Sequence, residues 1–356
     1  MAPEPADLPP LPGQPADTPW PTADWPTGAL PLGAARARIG ELLDAAFEAP
    51  PESDLGATHA VVIVQGGRLL AERYAEGFAP DVNCRSWSMA KSITQALVGL
   101  AVGDGRLDIR APADVPAWRG DARGAITLDQ LLRMSSGLAW IEDYSPDHPS
   151  DVIEMLFGKG RDDVAAFAES APLAHPPGSF FYYSSGATNI VAHCLARALG
   201  VDRAGMEAFM RARLFGPLGM TSAAPRFDAA GTFIGSSYCF ATPRDFARFG
   251  LLYLRDGIWE GRRLLPPGWV DYARTPTWRQ PDAEADGRYG AHWWLDMAGP
   301  GSFSANGYEG QHVVLCPDRD LILVRHGATP TATQPAVKAW LRDLTEAFSP
   351  PQAPSS

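Results

Sequence analysis

Lysine is nearly missing from this chain: of its 30 basic residues only Lys91, Lys159 and Lys338 are lysine, the rest being arginine. A chain so biased loses little charge by using arginine, so a retained lysine points to chemistry that arginine cannot do, such as accepting a proton. Cysteine is scarce too, and Cys84, Cys194, Cys239 and Cys316 lack metal-ligand spacing, so they read as buried, reduced thiols. No apolar run reaches membrane-spanning length. There is no basic cluster and the formal net charge is −11, which argues against nucleic acid and anionic membrane surfaces as partners. Also missing are a Gly-x-Ser-x-Gly elbow, a Walker loop and a His-Glu-x-x-His pair, and the seven histidines are isolated. Elbow-type serine chemistry, phosphate-loop binding and zinc hydrolysis therefore have no foothold. Residues 1–33 are rich in proline and carry neither the basic start nor the apolar centre of a secretory signal. They are expected to form an extended arm, on the surface or disordered, and a cytoplasmic location is the default expectation.

What is present is enough apolar content, 46% of 356 residues, for one large domain or two intimate ones. Ile39, Leu42, Leu43, Ala46 and Phe47 mark an amphipathic helix within 34–49. Two strand-like runs, His59 to Gln65 and Arg68 to Tyr74, flank Gly66-Gly67, a hairpin signal. The far end mirrors this: His312 to Cys316 and Leu321 to Arg325 flank a turn, and Val337, Trp340, Leu341, Leu344 and Phe348 stripe a closing helix. Helical patterns dominate between. The expectation is an α/β (α+β) fold in which one antiparallel sheet is built from both chain ends and covered by helices. Residues 34–105 and 236–349 form that sheet domain, 106–235 a mainly helical inserted subdomain, and 350–356 a tail.

The richest stretch is Arg85-Ser86-Trp87-Ser88-Met89-Ala90-Lys91-Ser92, read as the first turn of a helix whose apolar residues Ile93, Ala96, Leu97 and Leu100 recur at helical spacing. Ser88 and Lys91, three apart, share one face. Serine needs a neighbouring base, and an amine serves only when neutral, a state that burial and a helix N-terminus favour. Two further elements follow in order. Tyr182-Tyr183-Ser184-Ser185-Gly186 precedes a helix, and a tyrosine beside a lysine can pass a proton between nucleophile and leaving group. Asn306-Gly307-Tyr308-Glu309-Gly310-Gln311 runs into a strand, and its glycines let a backbone N–H approach a carbonyl oxygen.

Taken together, Ser88-Met89-Ala90-Lys91, Tyr183-Ser184-Ser185 and Gly307-Tyr308-Glu309-Gly310-Gln311 resemble the three ordered motifs of the β-lactamase-like serine hydrolases. The resemblance runs from about residue 40 to 345. Within that superfamily the chain is most similar to class C-type esterases and the 6-aminohexanoate-dimer (nylon oligomer) hydrolases, whose loop tyrosine is matched by Tyr144 in Glu142-Asp143-Tyr144. The resemblance implies a β-lactamase/transpeptidase-like fold, with Ser88 as nucleophile, Lys91 as its base and Tyr183 as proton relay. The backbone N–H groups of Ser88 and Tyr308 would form the oxyanion hole, with Tyr144 assisting at a leaving nitrogen. Asp143, Ser185, Gly307, Glu309 and Trp87 are the further residues expected at the substrate.

The departures narrow the chemistry. Where β-lactamases carry Lys-Thr-Gly this chain has Gly307-Tyr308-Glu309, and an acid there repels an anionic antibiotic. Serine hydrolysis of a small ester or amide, without metal or organic cofactor, is therefore expected ahead of β-lactamase or DD-peptidase activity. Tryptophans in the cleft would suit short acyl esters, whereas Glu142, Asp143 and Glu309 would suit a substrate bearing an amine. A catalytically silent binding module of the same fold and acyl transfer to an alcohol stay open, as does a homodimer.

Overall fold

Gly66 and Gly67 adopt φ of +58° and +73°, the backbone that a two-residue hairpin turn requires. In the computed structural model, which describes residues 8–144, 148–277 and 288–350, they join β1 (Ala57–Gln65) to β2 (Arg68–Tyr74). The hairpin follows helix α1 (Ala34–Glu48) and precedes α2 (Ala90–Gly103). Further on come α3 (Ser185–Leu199) and α4 (Pro243–Leu254). The chain then returns to the sheet through β3 (Arg288–Tyr289), β4 (Trp294–Leu295), β5 (Phe303–Gly307), β6 (Gln311–Cys316) and β7 (Leu321–Ala328), and closes with α5 (Gln334–Glu346).

These seven strands form one antiparallel sheet in the order β2-β1-β7-β6-β5-β4-β3. Its second and third strands, β1 and β7, join the two chain ends, with Val62 opposite Val324 and Ile63 opposite Leu323. Alternate residues of a strand face opposite sides. Accordingly Val61 and Ile63 enter a layer with Ile39, Leu42, Val337 and Leu341 of the terminal helices, while Val62 and Val64 enter a larger core with α2, α3 and α4. The inserted region supplies short helices at Leu128–Leu132, Asp151–Leu156 and Val164–Glu169, besides α3 and Arg203–Met210.

Helix α2 is the hub. Every residue from Ala90 to Ala101 is buried, as befits a helix apolar nearly all round. Its one cation, Lys91, goes in with the rest. All four cysteines are buried free thiols, pushed up to about 12 chiefly by burial.

From residue 8 onward the proline-rich arm packs down, with Trp25 in the core. It covers the edge strand β2: Gly28 N–H donates to the Leu69 carbonyl at 2.9 Å and Leu69 N–H to that of Pro26 at 2.8 Å. Buried arginines tie down its carbonyls. Arg248 donates to Pro21, Arg255 to Pro12 and Arg274 to Pro9. Prolines lack an N–H and so offer carbonyls without competing donors. Residues 1–7 of the arm and the tail from 351 lie outside the described residues. Among the described residues no helix is long and apolar enough to cross a membrane.

Candidate active site

Three elements converge at the mouth of α2. Ser88 sits in a 3₁₀ turn, Trp87–Met89, that runs into the helix. Ser86 fixes this turn, donating from Oγ to the Ser237 carbonyl at 3.0 Å and accepting from Cys239 N–H at 2.9 Å. The second element starts α3, where Ser184 caps the helix by accepting from Ala187 N–H. The cap places Ser185 in the first turn and leaves Tyr183 just before it. Gly186 lets the Trp140 ring approach, since a Cβ there would lie 2.6 Å from it. The third element is the turn after β5, where Gly307 passes so close to the Ser86 carbonyl that a Cβ would come within 2.4 Å.

Lys91, 1% exposed, places Nζ 3.0 Å from Ser88 Oγ. The same nitrogen donates to Ser185 Oγ at 2.9 Å and to the Ser236 carbonyl at 3.0 Å. Ser185 Oγ in turn donates to Glu142 Oε1 at 2.5 Å, so it meets Lys91 only as an acceptor. A neutral amine has two hydrogens and one lone pair. Protonated, Nζ donates to Ser88, Ser185 and Ser236 alike; once neutral, with its two hydrogens on Ser185 and Ser236, it can turn the lone pair to the Ser88 hydroxyl.

Burial lowers Lys91 to about 8, against a smaller opposing pull from Glu142. Tyr183, whose hydroxyl is hydrogen-bonded to Ser88, moves the other way: burial first, and then Glu142, raise it above the usual tyrosine range. Lys91 Nζ lies 4.8 Å from the Tyr183 ring centroid, and Trp294 packs on the ring at 5.3 Å. Two neighbouring groups pushed in opposite directions are suited to act as base and acid.

Glu142 holds Trp140, Tyr144 and Ser185 together, a role that its charge alone does not announce. Its carboxylate accepts from Tyr144 OH at 2.7 Å, Trp140 Nε1 at 2.6 Å and Ser185 N–H at 2.8 Å, besides Ser185 Oγ. The available signal was its position two residues from both Trp140 and Tyr144, which lets both rings reach one carboxylate.

Trp87, Tyr144 and Tyr308 line a cavity of about 90 Å³ at Ser88, with Val152, Ile153 and Leu156 as its apolar wall. Tyr144 and Tyr308 stack there at 4.9 Å. Other residues expected at the substrate are placed differently. Ser185, 1% exposed, is committed to Lys91 and Glu142. Asp143 meets His148 Nδ1 at 3.0 Å, and Glu309 accepts from Trp87 Nε1 at 3.0 Å. Glu142, Asp143 and Glu309 are thus each hydrogen-bonded within the protein. Among the described residues no group of three or more His, Cys, Asp or Glu side chains is placed to hold a metal ion.

Comparison with known proteins agrees with this architecture. Residues 43–347 match the family model described as Beta-lactamase. The 6-aminohexanoate-dimer hydrolase of Paenarthrobacter ureafaciens is 28% identical over 300 residues, 80% of this chain and 75% of that protein. A Bacillus anthracis protein provisionally named as a 6-aminohexanoate-dimer hydrolase superposes with a TM-score of 0.74 at 24% identity, over 91% of this chain and 87% of that one. A family VIII carboxylesterase does so with a TM-score of 0.69 at 13% identity, over 90% and 99%.

Proposed function

This chain belongs to the β-lactamase family, and from that premise we propose that it is a serine hydrolase of small, uncharged acyl esters and amides, working through an acyl-serine intermediate. The observation that carries the reading is the buried Lys91 amine 3.0 Å from Ser88 Oγ with its other hydrogen bonds already committed. Ser88 Oγ attacks the substrate carbonyl carbon while its proton passes to Lys91 Nζ. The negative charge on the carbonyl oxygen is met by the backbone N–H groups of Ser88 and Tyr308. Tyr183, held protonated, gives its proton to the leaving oxygen or nitrogen and takes back the one that Lys91 received from Ser88. Water then enters by the reverse path, giving up a proton to the same pair and releasing the acid.

A pH dependence follows. Only neutral Lys91 accepts a proton, and it loses neutrality as pH falls through about 8. The value of kcat/KM is therefore expected to drop about tenfold per pH unit below that point. Tyr183 is raised above the usual tyrosine range, so it stays protonated across this window and imposes no alkaline limb. Initial rates between roughly pH 5 and 10 check this, and a profile flat down to pH 6 contradicts a lysine base.

The cavity sets the acyl group. At about 90 Å³ it is smaller than the roughly 150 Å³ that holds benzene, and its wall is apolar. Each methylene buried contributes about 0.8 kcal/mol, close to a factor of four. For p-nitrophenyl esters kcat/KM should climb about fourfold per carbon from acetyl to butyryl and stop climbing beyond. Continued climbing to octanoate, or a preference for an ω-amino acyl chain over its N-acetyl form, contradicts an uncharged short-acyl site. The relative of 28% identity motivates a second reading, 6-aminohexanoate amides, whose amine would leave the cavity past the Phe157 ring, 53% exposed. Including the aminohexanoate dimer in the same assay separates the two.

A further inference from the structure

We propose that the Trp87–Glu309 hydrogen bond is a brace that sets the spacing of the oxyanion hole, making both residues positioning residues for acyl transfer; this rests on the acyl-serine reading above. Trp87 immediately precedes Ser88 and Glu309 immediately follows Tyr308, so each flanks one of the two N–H donors. Their side chains meet across the gap, Trp87 Nε1 donating to Glu309 Oε2 at 3.0 Å. Both also hold left-handed backbone, φ +43° at Trp87 and +63° at Glu309. Such a conformation is uncommon for residues with a Cβ and persists where the surroundings over-determine it, often at functional sites.

The two segments are pressed together and separately anchored. A Cβ at Gly307 would lie 2.4 Å from the Ser86 carbonyl and 3.2 Å from Trp87 Cβ. On the sheet side, Gln311 Nε2 donates to the Tyr308 carbonyl at 3.1 Å and to that of Gly327 at 2.6 Å. Arg325 holds the Gly310 carbonyl at 2.8 Å. On the other side, Ser86 ties the nucleophile turn to the Ser237 carbonyl. Each donor thus has its own foundation, and the Trp87–Glu309 bond spans between them. Stabilisation of an oxyanion depends on where its donors sit when charge develops, so a loosened brace weakens binding of the transition state more than that of the substrate.

The test uses Trp87→Phe, which keeps a ring but no N–H, Glu309→Ala, which removes the acceptor, their double variant, and Glu309→Gln, whose carbonyl still accepts. Steady-state kinetics on p-nitrophenyl butyrate are measured alongside inhibition by an alkyl boronic acid, a tetrahedral mimic. Trp87→Phe and Glu309→Ala should each lower kcat about tenfold with KM within about twofold, and weaken the boronate by a similar factor. The double variant should be no worse than either single, since one bond is lost in all three. Glu309→Gln should restore most of the loss. Multiplying losses in the double variant, an unchanged boronate affinity, or Glu309→Gln as impaired as Glu309→Ala would each overturn the brace. Should Glu309→Ala unfold, Trp87→Phe against Glu309→Gln decides alone. Ser88→Ala run in parallel separates the failures: if it stays active the acyl-serine reading falls and takes the brace with it, whereas an inactive Ser88→Ala beside wild-type brace variants removes the brace only.

Discussion

Ser88→Ala is expected to lower kcat by roughly 10⁴-fold or more while the melting temperature stays within about 2 °C of wild type. The size of the loss follows from the side chain's place in the reaction: without Oγ no acyl-enzyme forms, and the oxyanion donors and cavity retain only weak catalysis of direct water attack. The small stability change follows from the packing. Ser88 lies in a half-buried turn whose shape is held by the Ser86 bonds to Ser237 and Cys239, and alanine suits that turn. Lys91 loses one of three partners and keeps Ser185 and Ser236. Turnover of p-nitrophenyl butyrate and a thermal melt check both halves. A variant that keeps more than about one-tenth of wild-type turnover refutes the assignment.

Lys91→Arg should be nearly as severe, lowering kcat by about 10³-fold or more at every pH. Guanidinium retains its charge throughout the working range, so it cannot take the Ser88 proton, and raising the pH cannot rescue it. It also brings a broad, permanently charged fork into a site that is 1% exposed and shaped for three single hydrogen bonds. Lys91→Met separates the two contributions: it removes the base without burying a charge, so it should be equally inactive but melt higher than Lys91→Arg. Rate measurements at about pH 7 and pH 10 together with melting curves decide the matter. Recovery of Lys91→Arg at high pH, or activity of Lys91→Met, contradicts a lysine base.

Much of this was legible in the chain because it is local. Gly66-Gly67 announced its hairpin, the stripe of Val337, Leu341 and Leu344 announced its helix, and the rarity of lysine drew the eye to Lys91. The strands β3 and β4 were not legible: at two residues each they are too short to show a period, and β5 carries Ser304, Asn306 and Gly307, which favour strands weakly. Nor did composition reveal how the arm packs, since its anchors are arginines some 230 to 265 residues away. The partners of the acids were not legible for a different reason. A sequence shows that Glu142 and Glu309 carry charge but not what they face, and in the fold each is met by donors from aromatic side chains, Trp140 and Tyr144 for one and Trp87 for the other. Whether they also favour a substrate bearing an amine is decided by comparing an ω-amino acyl chain with its N-acetyl form.

The central claim, that Ser88 is a nucleophile activated by neutral Lys91, is tested most directly by intact-mass and peptide mass spectrometry of the chain after brief exposure to a fluorophosphonate at about pH 6 and pH 9. The account predicts a single adduct on the peptide carrying Ser88, formed many times faster at the higher pH and missing from Ser88→Ala. An adduct on another residue, an equal rate at both pH values, or an unlabelled wild-type chain would contradict it.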